Sequence, residues 1–135
     1  MSYKYVDDLT SDVMFRVTAK KKEALFEDAA LGMVNIMYDT KKVSRQKKYR
    51  IKTQGSDIEE QLYNFLTQVL ITFETKQVML KDFHVTIRGK NVNATAHGMK
   101  TNTNLIQTHV KGVTYYNYSV SQKKNAWVAN VVVDI

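Results

Sequence analysis

The segment SDIEEQLYNFLTQVLITFET (residues 56–75) carries the strongest helical pattern of this chain. Its apolar residues recur three and four positions apart, which places them on one face of an α-helix. Ser56 precedes the apolar run, and Glu59 lies three residues after Ser56, which is the spacing of a capping box. The segment therefore predicts an amphipathic helix capped by Ser56, with a buried face made of Ile58, Leu62, Phe65, Leu66, Val69 and Phe73.

Upstream of this helix, the sequence predicts a first helix and a basic strand. Helical spacing from Lys22 to Tyr38 indicates one buried stripe, made of Leu25, Ala29, Gly32, Met33, Ile36 and Met37. The next segment, KKVSRQKKYRIKTQG (residues 41–55), has Val43, Tyr49 and Ile51 at odd positions among its cations. That alternation suits a strand with one solvated face.

The two ends of the chain read as strands. Residues 3–19 predict two short strands around a polar turn at residues 7–12, with Val13, Phe15 and Val17 facing inward. After the second helix come four strand-like runs, at residues 78–90, 91–99, 108–121 and 125–135, and Arg88–Asn91 predicts a hairpin. This order predicts one α+β domain over residues 1–135, with two helices packed on one side of a mostly antiparallel sheet.

Composition narrows the function classes. The 20 Lys and Arg residues against 13 Asp and Glu give a net charge of +7, which is compatible with RNA, with an acidic protein partner, or with a merely solvated surface. The absence of cysteine excludes thiolate catalysis and Cys-based zinc sites. No apolar run approaches the roughly 18 residues of a membrane span, and the first ten residues hold no signal-peptide core. We therefore expect a cytoplasmic protein without membrane contact.

The basic segment is the first candidate binding site. It holds Lys41, Lys42, Arg45, Lys47, Lys48, Arg50 and Lys52, with Tyr49 as its only aromatic residue. RNA-binding strands usually interleave stacking aromatics with cations, so one tyrosine is a thin signal. A solvated edge strand whose lysines block aggregation explains the pattern at least as well, and an acidic partner would use the same charges.

The polar turn is the second candidate site. Asp7, Asp8 and Asp12, with the hydroxyls of Thr10 and Ser11, supply the hard oxygen ligands that calcium or magnesium prefers, although such turns are commonly only solvated. The C-terminal DI adds the carboxylate of Asp134 and the main-chain carboxylate of Ile135. The two ends of the chain would together supply part of the ligand set of such a cation if the first and last strands are neighbours.

The sequence patterns that would indicate catalysis are weak. His84, His97 and His109 fall in three separate strand-like runs without metal-ligand spacing, and the sequence has no glycine-rich phosphate loop. A metal-assisted hydrolase using Asp12 and Asp134 would still need a general base or nucleophile, and none is identifiable. The residues thus favour a binding protein over an enzyme.

Three blocks of the sequence resemble the archease family. VKGVTYYNYSVSQKKNAWVANVVVDI (residues 110–135) is similar to the family's C-terminal end, which has a lysine-led strand close to KAVTYH, a strand with tryptophan and a terminal DI. Residues 9–39 resemble the family's N-terminal block with its HTAD motif, and residues 57–75 resemble its second helix. Leu9, Met99 and Tyr116 depart from the family pattern, which has histidine, glutamate and histidine there.

The resemblance implies a non-catalytic activator of the RtcB-type RNA ligase, the GTP- and manganese-dependent enzyme that joins tRNA halves after intron removal. Such an activator promotes ligase guanylylation and repeated turnover. The resemblance also implies a divalent cation, calcium, held by Asp12, Asp134 and Ile135, which would offset the charge of a buried Asp134. Lys111 matches the lysine that leads KAVTYH and is expected to contribute to activation.

Overall fold

The computed structural model describes residues 2–8 and 12–135, with the backbone alone at residues 6–8. Helix α1 spans Lys22–Met37 and helix α2 spans Ile58–Lys76. Short 3-10 helices occupy Thr40–Lys42 and Thr103–Leu105. In these residues the strands are β1 (Ser2–Asp8), β2 (Asp12–Ala19), β3 (Lys47–Gln54), β4 (Val78–Arg88), β5 (Asn91–Lys100), β6 (Gly112–Lys123) and β7 (Ala126–Asp134).

The strands form two antiparallel sheets rather than the single predicted sheet. One sheet has the order β1-β2-β7-β6 and the other has the order β3-β5-β4. The α+β class and the antiparallel pairing are confirmed. Each helix contacts strands of both sheets, and α1 also contacts α2, so the two helices pack against two sheets and not against one. Strand order along the chain could not reveal this, because it does not specify which strands pair.

The N-cap of helix α2 lies one residue later than predicted. Asp57, and not Ser56, is the N-cap, and its carboxylate accepts a hydrogen bond from the Glu60 backbone N–H at 2.8 Å. The Glu60 carboxylate in turn accepts a hydrogen bond from the Ser56 N–H at 3.0 Å. Aspartate and serine are comparable caps and each is followed three residues later by glutamate, so local sequence did not distinguish the two registers.

Helix α1 is buried on more than the predicted stripe. Leu25, Ala29 and Met33 are fully buried as expected, but Phe26 and Ala30 are buried as well. The wider burial arises because α1 packs against β1, β2 and β7 of one sheet and against β4 of the other. A single-stripe prediction assumes one packing partner, and this helix has several.

Two strand boundaries also differ from the prediction. The basic segment is not strand throughout, because Lys41 and Lys42 lie in a 3-10 helix and β3 begins only at Lys47. The predicted polar turn is shorter, because Asp7 and Asp8 belong to β1 and Asp12 begins β2. The predicted hairpin at Arg88–Asn91 is confirmed, and Gly89 there adopts φ +57, which glycine tolerates best.

The buried core is continuous from α1 through α2 to both sheets. Phe15 and Val17 of β2 are fully buried, as the alternation predicted, while Val13 is half-buried. In the part of the chain that the structure describes, no helix is long and apolar enough to cross a lipid bilayer.

Candidate functional site

The predicted ends of the chain meet on neighbouring strands. Strands β2 and β7 pair antiparallel with Asp12 directly opposite Asp134, and β6 continues the row by placing Gly112 opposite Asp134. In the order β1-β2-β7-β6, the last strand of the chain, β7, lies between β2 and β6, whereas the first strand, β1, pairs with β2 and not with β7. Two predicted metal ligands therefore form one cross-strand pair, and Lys111 is the residue immediately before the third member of the row.

The Asp12–Asp134 pair brings two negative charges to one face of the sheet. Residues directly opposite in antiparallel strands point to the same side, with Cβ atoms about 5 Å apart. Both side chains are half-buried, so Asp134 is more exposed than the resemblance implied. Like charges in this arrangement destabilise a sheet, and a cation between them would remove that cost.

Between β2 and β7, the next two pairs on the same face carry no carboxylate. On the other side of β2, Met14 pairs with Asp7 of β1, whose side chain lies outside the described part of the chain. Met14 lies opposite Val132, and the following row links Arg16 to Asn130 through a hydrogen bond of 2.9 Å from the guanidinium Nε. The apolar Met14–Val132 row separates Arg16 from the two aspartates, so this guanidinium does not share their row.

Lys111 is fixed beside the pair through its backbone. Its N–H donates a hydrogen bond to the Asp134 carbonyl at 2.7 Å, while its side chain is exposed. The register thus anchors the backbone of Lys111 and leaves the ammonium group accessible to a partner.

The donor set of this site is made of carboxylates. Ile135, the third predicted ligand, lies one residue beyond Asp134, and its side chain packs against the core. Over residues 2–5 and 12–135, whose side chains the structure describes, no group of three or more His, Asp or Glu side chains suits a metal ion. The side chains of Asp7 and Asp8, and the residues Thr10 and Ser11, lie outside the described part of the chain.

Two of the three residues that depart from the family pattern, Tyr116 and Met99, lie in different environments. Tyr116 is 68% exposed and lies where β6 loses register with β7 between Thr114 and Ser119. The half-buried Met99 sulfur accepts a hydrogen bond from the Ser44 hydroxyl at 3.3 Å. Leu9 lies outside the described residues.

The same irregular part of β6 carries an exposed aromatic stack that the sequence did not suggest. The Tyr115 ring stacks on Tyr63 of α2 with centroids 3.9 Å apart, and the Tyr63 hydroxyl donates to the Val113 carbonyl at 2.8 Å. These contacts fix the strand segment that follows Lys111 to helix α2. No local pattern predicts a contact between residues so distant along the chain.

The predicted basic site separates into parts with different surroundings. Arg45 forms an ion pair with Asp82 at 2.8 Å, so its charge is matched within the protein. Lys48, Arg50 and Lys52 lie on the exposed face of β3, which is an edge strand as one interpretation expected. Lys47, Lys48 and Arg50 line a cleft together with Lys76 and Lys100, two cations outside the predicted basic site.

The three histidines do not converge. His84 lies on β4 with its ring 3.8 Å from the Glu27 carboxylate, and His97 lies on β5 with its ring 3.3 Å from the Arg45 guanidinium. His109 lies outside the strands, in the segment before β6.

Comparisons with known proteins identify the family of this chain. The model of the archease protein family matches residues 3–135 of the chain. The archease of Methanosarcina barkeri is 35% identical, with 98% of this chain and 95% of the relative covered. The archease of Archaeoglobus fulgidus is 30% identical, and the match covers 100% of both chains.

Solved structures show the same fold. The solution structure of protein 1598 of Methanobacterium thermoautotrophicum superimposes with a TM-score of 0.87 at 27% identity, covering 98% of each chain. The crystal structure of a Thermotoga maritima archease, described as a possible chaperone, gives a TM-score of 0.71 at 13% identity over 98% of this chain and 97% of the other. The second match bears on the fold alone. Because the family model and both relatives span nearly its whole length, this chain belongs to the archease family.

Proposed function

We propose that this protein is a non-catalytic activator of an RtcB-type RNA ligase, acting in the cytoplasm through a divalent-cation site formed by Asp12, Asp134 and the carboxylate of Ile135. Membership of the archease family supports the ligase as partner. The observation that carries the site is the register of β2 and β7, which sets Asp12 directly opposite Asp134. The alternative of a metal-assisted hydrolase lacks a recognisable general base or nucleophile at this row.

The residues fit a hard cation such as calcium. Carboxylate oxygens are the ligands that calcium prefers, and it takes six to eight oxygens at roughly 2.3 to 2.6 Å. Asp12, Asp134 and the terminus supply part of that set, and water would supply the remainder. A bound cation would neutralise the two carboxylates and so favour a fixed arrangement of the β2 and β7 ends.

Lys111 would act beside this site and not as a ligand. Its backbone hydrogen bond to Asp134 couples the position of the lysine to that of the metal-binding strand. A cation that orders the end of β7 would therefore also fix the backbone of Lys111, whose exposed ammonium is suited to contact an acidic or phosphate-bearing surface of the ligase complex.

The direct test is multiple-turnover RNA joining by the RtcB-type ligase of the same organism, with GTP, manganese and calcium. We expect the wild-type protein to stimulate ligase guanylylation and turnover, and Asp134→Asn to lose most of that stimulation. Asp39→Asn is the matched control, because it makes the same charge change where Asp39 caps the 3-10 helix and asparagine can keep the cap. Equal stimulation by wild type and Asp134→Asn would refute the role of the site, and no stimulation by the folded wild type would refute the activator function.

The terminal carboxylate can be tested separately by calorimetric titration with calcium. A short extension after Ile135 converts that carboxylate into a peptide carbonyl, and we expect it to weaken calcium binding. The same extension placed before Met1 serves as the control. Unchanged affinity in the C-terminally extended form would remove Ile135 from the ligand set.

A further inference from the structure

A cationic cleft lies on the three-stranded sheet, away from the Asp12–Asp134 row of the other sheet. Its volume is about 460 Å³. Its lining comes from the edge strand β3, the last turn of α2, and the ends of β4 and β5. Five of its seven lining residues are cations, namely Lys47, Lys48, Arg50, Lys76 and Lys100, and none is acidic.

The tertiary structure gathers these charges from separate parts of the chain. Lys47 begins β3, Lys76 ends α2, and Lys100 ends β5. Lys100 lies opposite Val78, which follows α2 closely, while Lys47 pairs with Gly98 two residues before Lys100. The pairing of β5 with both β3 and β4 therefore brings the three lysines to one end of the sheet.

The cations of the cleft remain available for an external anion. Within the side chains that the structure describes, the ion pairs are Arg45 with Asp82 and His84 with Glu27, and neither involves a residue of the cleft. The Lys47 ammonium lies 5.7 Å from the centroid of the Tyr49 ring, an orientation that cation–π attraction favours. Tyr49 and Val78 supply the apolar part of the lining.

The charge continues from the cleft along the edge strand. Lys48, Arg50 and Lys52 alternate along the exposed face of β3, and alternate residues of a strand are about 6.6 Å apart. A row of regularly spaced cations beside a groove with an aromatic wall is the arrangement with which proteins follow a single-stranded nucleic-acid backbone. A protein partner would more often need a central apolar anchor, and the apolar part of this lining is limited to Tyr49 and Val78.

We propose that the cleft between Lys47, Lys76 and Lys100 binds the sugar–phosphate backbone of single-stranded RNA. The interaction is electrostatic and independent of base sequence, and the cations of β3 extend it beyond the cleft. This binding site is separate from the Asp12–Asp134 site and does not require a bound metal ion.

The test is fluorescence anisotropy with a short labelled oligouridylate, at several salt concentrations between about 50 and 200 mM. We expect Lys47→Glu/Lys100→Glu to lose at least about tenfold in affinity and to reduce the slope of log K against log salt by about 1.4, the contribution of two phosphate contacts. Lys47→Gln/Lys100→Gln should show a smaller loss in the same direction.

Lys20→Glu/Lys21→Glu is the matched control, since it makes the same change of net charge at two exposed residues outside both the cleft and the basic segment. We expect it to retain affinity within about threefold, because screening weakens charge effects at a distance. An equal loss in both double variants would overturn the cleft as a site, and so would an absence of RNA binding by the wild type. Competition by polyglutamate as strong as that by unlabelled RNA would assign the cleft to an acidic partner instead.

Failure of this proposal can be distinguished from failure of the proposed activator function. Asp134→Asn should bind oligouridylate as the wild type does, whereas Lys47→Glu/Lys100→Glu should bind calcium as the wild type does. Loss of RNA binding in Asp134→Asn would contradict the separation of the two sites.

Discussion

Tyr38 and Leu80 are joined by two hydrogen bonds through a single buried phenol. The Tyr38 hydroxyl donates to the Leu80 carbonyl at 2.8 Å and accepts from the Leu80 N–H at 2.7 Å. Strand β4 is at the edge of its sheet, so its outward backbone groups have no strand partner there. Tyr38, the C-cap of α1, thus provides hydrogen-bond partners for backbone groups at the edge of β4 and links the helix to the sheet.

Tyr38→Phe should therefore destabilise the protein although its volume hardly changes. The substitution leaves the buried N–H and C=O of Leu80 without a partner, at a cost of about 2 to 4 kcal/mol in the free energy of unfolding. Urea unfolding measures this cost. Tyr63→Phe is the control, because it removes one hydrogen bond from a half-buried site and should cost about 1 kcal/mol. A smaller effect at Tyr38 than at Tyr63 would contradict this account.

Asp28 should make stability depend on pH. Its side chain is 2% exposed, and burial raises the pKa of its carboxyl, an effect that the hydrogen bond from the Ser2 N–H partly opposes. Because the folded-state pKa is raised, the protonated group stabilises the fold fully below the unfolded pKa of about 3.9, and this contribution is lost as pH rises through the folded pKa.

Asp28→Asn removes this titration. As pH rises from about 4 toward neutrality, we expect the free energy of unfolding of the wild type to fall relative to that of Asp28→Asn, because asparagine does not ionise. Urea unfolding across this range tests it, with Asp57→Asn as the control at an exposed helix cap. A difference that does not vary with pH would show that Asp28 titrates alike in both states.

Gly98 should tolerate no larger residue. A Cβ at this position would lie 2.1 Å from the Met79 carbonyl oxygen, which belongs to the adjacent strand β4. Gly98→Ala must therefore displace β4 from β5, and we expect a loss of about 1 to 3 kcal/mol in thermal or urea unfolding. Gly112→Ala is the control, since a Cβ there has no neighbouring atom within 4 Å. Similar stabilities of the two variants would refute the close approach.

The effect of Asp134→Asn on stability should depend on calcium. In excess chelator, Asp134→Asn removes a repulsion between directly opposite carboxylates, so we expect it to be more stable than the wild type by up to about 1 kcal/mol. With calcium, the wild type should gain stability by mass action and the variant should gain little. Thermal unfolding with and without calcium measures both effects. A calcium-dependent gain that is equal in the two proteins would place the ion elsewhere.

The sequence by itself determined the elements that depend on local patterns. Apolar residues three and four apart defined α1 and α2, and alternation defined the inward residues of β2 and β3, because these periods are properties of single elements. The motif at the C-terminus indicated the family, and with it the candidate residues Asp12, Asp134 and Lys111. Among the helix ends, the C-terminal end of α1 and the cap of α2 each differ by one residue from these expectations.

Only the tertiary structure decided which elements pair. The division into two sheets and the placement of α1 among several partners depend on contacts between residues far apart along the chain. The direct opposition of Asp12 and Asp134 is a matter of register, since a shift of one residue would turn one carboxylate to the other face. Lys76 and Lys100 likewise join Lys47 only through strand pairing, because no local period connects the end of a helix with the ends of two strands.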